Sequence, residues 1–126
     1  MGMPFRQTVR LGQYLMKQKL KGAKHYPLLV ELEPLFACNL KCIGCGKIQQ
    51  PHTLLKQRMP VEQAVGAIEE SGAPMVSIAG GEPLMHPQID EIVRQLLDRN
   101  KIVFLCTNAV LLPKHLHKFK PHKNFS

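Results

Sequence analysis

The chain has 126 residues, 44% of them apolar, and its 17 Lys and Arg against 9 Asp and Glu give a formal charge of +8. This length suits one domain with a modest core, and the apolar share excludes a disordered chain. No apolar run exceeds Ile102 to Cys106, short of the roughly 7 to 15 residues of a secretory leader and the ~20 of a spanning helix, so a cytoplasmic protein is expected.

The charge is unevenly placed, since Arg6, Arg10, Lys17, Lys19, Lys21 and Lys24 all precede the first acidic residue, Glu31. The spacing predicts a helix over residues 5 to 21, with Phe5, Val9, Gly12, Met16 and Leu20 on one stripe and Arg6, Arg10, Lys17 and Lys21 on the stripe beside it. Such a helix suits packing against a sheet or peripheral contact with a membrane surface. The arm is poor in polar base-reading residues and its aromatics are Phe5, Tyr14 and Tyr26, so no nucleic-acid partner is expected. Residues 1–27 therefore read as a basic amphipathic arm and residues 28–126 as the body.

Residues 28 to 33, LLVELE, alternate as a strand does, and Pro34 ends it. The loop that follows, ACNLKCIGCGK, carries Cys38, Cys42 and Cys45. A helix is predicted from Pro60, burying Val61, Val65 and Ile68 and stopping at Gly72. MVSIA, residues 75 to 79, is a second strand closed by Gly80 and Gly81, and a helix from about Gln88 turns Ile89, Ile92, Val93, Leu96 and Leu97 inward before Asn100 ends it. IVFLC, residues 102 to 106, is a third strand, with Thr107 and Asn108 opening the next turn. The tail KHLHKFKPHK reads as the solvated start of another helix, and His86 as a turn residue before Pro87.

The order helix, then β-α-β-α-β, predicts an α/β fold with a parallel sheet and right-handed crossovers. Ligands collect beyond the carboxyl ends of strands in such sheets, and the cysteine loop, the GGEPL stretch from Gly80 to Leu84 and the CTNA stretch from Cys106 to Ala109 each follow a strand. Strand parity turns Val30, Leu32, Val76, Ile78, Val103 and Leu105 toward the helices and leaves Glu31, Glu33, Ser77, Cys106 and Asn108 on the opposite, interior face.

In a reducing compartment a tight cysteine triplet points to metal binding or catalysis rather than a disulfide framework. A closed structural zinc site takes four ligands, so three thiolates need a fourth, for which His52 is available, and that route leads to a non-enzymatic cysteine-zinc module. Alternatively, three thiolates hold a four-iron cluster and leave its fourth iron open to a substrate.

The C-x3-C-x2-C triplet followed by GGEP at the next strand end resembles the radical S-adenosylmethionine (SAM) superfamily. The resemblance implies a partial (βα)6 barrel, a 4Fe-4S cluster held by Cys38, Cys42 and Cys45, and SAM on the open iron. It implies that Gly80, Gly81, Glu82 and Pro83 hold the methionyl amino group, with Ser77, Thr107 and Asn108 close to the cofactor. Gly44 stands where many members put an aromatic residue near the adenine. The stretches PFRQTVRLGQYLMKQKLKG, LEPLFACNLKCIGCGKIQ, VSIAGGEPLMHPQI and LCTNAVLL are similar to the HpnH family of hopanoid biosynthesis, the adenosyl-hopene transferases. That family adds the 5′-deoxyadenosyl radical to the double bond of the triterpene diploptene, which implies a triterpene lipid substrate, a reducing protein such as flavodoxin or ferredoxin, and peripheral contact with the inner face of a bacterial membrane through residues 5–21. Another radical SAM activity on a different substrate is the alternative within the superfamily. Cys106, the only cysteine outside the triplet, is the candidate catalytic hydrogen donor. A β-α-β unit takes about 30 residues or more, so 126 residues suffice for the first half of such a barrel, an N-terminal portion.

Overall fold

The computed structural model describes residues 4–126, apart from the side chain of Ile48, so residues 1–3 of the predicted arm lie outside the described residues. Helix α1 spans Phe5–Leu20, strand β1 Leu29–Leu32, the short helix α2 His52–Leu55 and helix α3 Val61–Ser71. Strand β2 (Met75–Ile78), helix α4 (Ile89–Asp98), strand β3 (Ile102–Leu105) and the one-turn helix α5 (Leu112–His115) follow. The sheet is parallel in the order β1-β2-β3, with Val30, Val76 and Val103 in one row and Leu32, Ile78 and Leu105 in another. An unbroken chain order in a parallel sheet requires each crossover to pass over the same face, and α3 and α4 do so.

The predicted parity holds. Val76, Ile78 and Val103 are fully buried against Ala64, Ile68, Ile92 and Leu96, each large aliphatic contributing about 1.5–3 kcal/mol by leaving water. On the other face Glu31 is exposed and Ser77 and Phe104 are half-buried. Both long crossover helices end as their sequences imply. Gly72 takes the left-handed conformation after α3 (φ 68°), and Asn100 does the same after α4 (φ 65°), a region that Gly and Asn enter at least cost.

Two elements go beyond what the sequence specified. The tail after β3 starts a helix as expected, but only one turn of it: α5 and a 3₁₀ turn at Leu116–Lys118 use the segment up. Phe125 then bridges Val103 in parallel, with Val103 N–H donating to Asn124 O and Ser126 N–H to Val103 O. The free edge of β3 thus recruits a further parallel segment, because its backbone groups need partners and helix-poor KPHKNFS can extend to meet them.

The second concerns α1, for which two uses were open: its apolar stripe of Phe5, Val9, Met16 and Leu20 is exposed and does not pack against the sheet. The helix docks instead through Gln7, which is buried and donates from Nε2 to Lys123 O at 2.7 Å, and through Arg10, which donates to Asn100 Oδ1 at 3.3 Å. Tyr14 closes the far end by donating to Pro27 O and meeting Tyr26 edge-on at 6.0 Å. Arg10, Tyr14 and Lys17 face Pro74, Arg99 and Lys101 across a cavity of about 300 Å³, which places α1 below the amino ends of β2 and β3. Among the described residues no helix is long and apolar enough to cross a membrane.

Candidate functional site

The chain leaving β1 runs through the buried Pro34 and Leu35 before the cysteine loop begins. The loop after β2 is fastened to this run, since Gly81 N–H donates to Leu35 O (3.1 Å) and Glu82 N–H to Ala37 O (2.9 Å). A Cβ on Gly80 would stand 2.4 Å from Leu35 O, and one on Gly81 only 2.1 Å from Ala37 O. Two successive glycines thus permit a close approach to the protein's own backbone. Gly80 and Gly81 set the position of the cysteine loop.

Glu82 is fully buried and ties in the third loop. Its Oε1 accepts from Leu84 N–H (2.9 Å) and from the Thr107 hydroxyl (2.7 Å), and its Oε2 accepts from Asn108 N–H (2.8 Å). The Thr107 oxygen also accepts from Ala109 N–H at 3.0 Å. Buried carboxylates persist only when such donors replace water. Glu82 and the buried Pro83 thus sit behind the rim formed by the three loops.

Asn108 faces the cysteine loop. Its Nδ2 donates to Asn39 Oδ1 at 2.8 Å and lies 3.9 Å from Cys38 Sγ, while its Oδ1 accepts from Val110 N–H. Cys38 Sγ also accepts from Leu40 N–H at 3.4 Å. Cys45 N–H donates to Cys42 O across a turn in which Gly44 takes φ 81°. That positive φ gives a physical reason for glycine where an aromatic residue is common.

All four cysteines are free thiols, with Cys38 and Cys45 half-buried and Cys42 exposed. Among the described residues no three His, Cys, Asp or Glu side chains converge on one point, as one zinc ion with His52 requires. A four-iron cluster makes a different demand, because each thiolate binds a different iron. Three reduced thiols on one surface loop, one of them accepting an N–H, fit that donor set.

At the C-terminal end of the loop Lys47 forms an ion pair with Glu33 and places its ammonium 5.3 Å from the centre of the Phe36 ring. Glu33, expected on the interior face, is engaged in fixing the loop. On the interior face Cys106 is exposed, with Sγ 3.3 Å from Ser77 Oγ. The groove of about 480 Å³ between α4 and residues 118–125 opens on the helix side of the sheet, away from these thiols.

One residue was not singled out by sequence, and another does more than its sequence reading gave it. Asn39 joins Asn108 over 69 positions of chain, and nothing local announces such a partner. His86 is a buried tie rather than a simple turn residue: its Nε2 meets Met59 O at 3.0 Å and its Nδ1 accepts from Gln88 N–H. This pattern selects the neutral ring with hydrogen on Nε2. Burial holds its pKa below the usual 6.5, opposed by the bond to Met59 and reinforced by Arg58.

The Radical SAM superfamily model matches residues 32–125. A probable GTP 3′,8-cyclase of Methanococcus maripaludis strain C5 is 35% identical over 86 residues, covering 66% of this chain and 29% of the relative. GTP 3′,8-cyclases of Chlorobaculum tepidum (38% over 84 residues; 64% and 25%) and Pelotomaculum thermopropionicum (32% over 89 residues; 66% and 27%) are also similar. The chain thus spans less than a third of the length of these relatives. Members of the superfamily use a 4Fe-4S cluster and SAM, and the three-stranded parallel sheet is a portion of their barrel. With the family match covering most of the body, and the cysteine loop joined to GGEP and Thr107-Asn108, the chain belongs to the radical SAM superfamily.

Proposed function

We propose that this chain is the N-terminal portion of an adenosyl-hopene transferase, in which a 5′-deoxyadenosyl radical is joined to the double bond of a triterpene. Cys38, Cys42 and Cys45 would hold the cluster. Gly80 to Pro83, Ser77, Thr107 and Asn108 would form the SAM side of the site, Glu82 acting as a positioning residue through its bonds to Thr107 and Asn108. The bound cluster and SAM supply the radical.

The observation that carries the reading is the exposed Cys106 thiol on the interior face, beside Ser77 and one residue from the Thr107-Asn108 turn. When a carbon radical adds to an alkene, the second alkene carbon is left with the unpaired electron. Cys106 gives that carbon the hydrogen atom of its S–H bond, which breaks as the new C–H bond forms. The remaining thiyl takes one electron and one proton, the electron coming from a reducing protein of the flavodoxin or ferredoxin class.

A second reading follows the names of the relatives, a cyclisation of GTP, and their identity of 32–38% favours it. A nucleoside triphosphate is a polyanion. The interior rows Leu29–Met75–Ile102 and Glu31–Ser77–Phe104 bring one carboxylate and no cation, a surface better suited to an apolar substrate.

The test uses the intact protein, reconstituted anaerobically and given SAM with diploptene or with GTP. Diploptene is expected to yield an adenosylated saturated product. In Cys106→Ala, SAM cleavage is expected to continue while that product falls away. Undiminished product would remove Cys106 from the reaction, and turnover of GTP in place of diploptene would establish the second reading.

A further inference from the structure

Helix α1 presents two unlike faces, and only one of them has a partner. Gln7 and Arg10 hold the helix against Lys123 and Asn100, with Leu11 and Tyr14 half-buried beside them. On the opposite side Phe5 is 81% exposed, Met16 67% and Leu20 85%, and Val9 is exposed as well. With 3.6 residues per turn these four side chains fall in one stripe, bordered by Lys19 on one flank and by Arg6 and Lys17 on the other.

No acidic residue precedes Glu31, so nothing on α1 neutralises these cations. The docked side adds to the same field through Arg10, Lys17 and Lys101, which line the cavity beneath the helix beside Arg99, itself paired with Glu69. An apolar stripe with cations along both borders matches one environment closely: an interface where acyl chains lie beneath a layer of phosphates. A second copy of α1 would bring like charges face to face. A nucleic acid would satisfy the cations and leave the stripe in water.

We propose that α1 is an interfacial helix that lays Phe5, Val9, Met16 and Leu20 on a bilayer of anionic phospholipid, with Arg6, Lys17 and Lys19 at the level of the phosphates. The inference rests on α1 and its anchoring, independently of the substrate assigned above. Its readout is binding, which does not require the cluster, SAM or turnover. Because Gln7 and Arg10 are anchored to the far side, the stripe reaches the bilayer without α1 leaving the body.

The experiment is co-sedimentation of the intact protein with phosphatidylcholine vesicles, with and without phosphatidylglycerol, together with gel filtration. Binding is expected only with phosphatidylglycerol and should weaken as salt rises. Lys17→Gln with Lys19→Gln should raise the apparent Kd about thirtyfold, from the worth of a basic residue near a charged surface. Met16→Glu with Leu20→Glu should abolish binding, and both positions are exposed, so the fold is retained. Unchanged binding in either pair, or absence of binding by the intact protein, overturns the proposal. So does a dimer that Met16→Glu and Leu20→Glu convert to a monomer, because the stripe is then an interface between copies.

Discussion

Removing the Glu82 carboxylate should loosen two loops at once. It accepts from Leu84 N–H, the Thr107 hydroxyl and Asn108 N–H at 2.7–2.9 Å while wholly out of water. In Glu82→Ala the Leu84 N–H, on a buried residue, is left without an acceptor, which costs about 1–3 kcal/mol. Thr107 is half-buried and Asn108 exposed, so water replaces part of what they lose, and each forfeits about 1 kcal/mol. The sum is about 3–5 kcal/mol, a large share of the ~5–15 kcal/mol that holds a domain folded. Glu82→Gln keeps an oxygen for Leu84 and Thr107 but turns an amide N–H₂ toward Asn108 N–H, two donors in opposition, at about 1.5–3 kcal/mol. Urea unfolding of the intact protein measures both, and hydrogen exchange over residues 106–110 should accelerate in each. The reasoning is refuted if Glu82→Ala costs less than about 1 kcal/mol, or if exchange in that turn is unaltered.

Gly81→Ala forces a Cβ to within 2.1 Å of a backbone carbonyl that cannot swing aside, so unfolding free energy should fall by more than about 2 kcal/mol as the bonds to Leu35 and Ala37 separate. Gly66→Ala in α3, with nothing within 4 Å of the new methyl, should instead stabilise by roughly 0.5–1 kcal/mol; the same sign for both in denaturant melts would contradict this geometry. The lowered His86 pKa has a definite sign. The unfolded chain takes up a proton below about 6.5 and the folded chain only at lower pH, so the contribution of His86 is complete above pH 6.5. It is lost as pH falls through that value toward the folded-state pKa, by no more than about 1.4 kcal/mol per pH unit. Unfolding curves from pH 7.5 to 5 should show the gap between the native protein and His86→Gln narrowing in acid, and a constant gap would refute the assignment.

The periodicity of LLVELE, MVSIA and IVFLC determined three parallel strands and which residues face the helices, because alternation and crossover order are local properties that a parallel sheet reads directly. Gly72 and Asn100 likewise announced where α3 and α4 end. What lies between chain segments was decided by tertiary structure. GGEP does not announce that its backbone also lies against Leu35 and Ala37, nor that Glu82 accepts from Thr107 and Asn108. The amphipathic pattern of α1 specified a helix with two faces but not which face docks. Gln7 and Arg10 settle that through Lys123 and Asn100, over about a hundred residues of chain. The tail stops its predicted helix after one turn for a similar reason, since the open edge of β3 offers the following residues backbone partners. Local patterns record how a segment buries its own side chains; the partners of buried polar groups and strand edges are supplied by distant chain, and only folding brings them within reach.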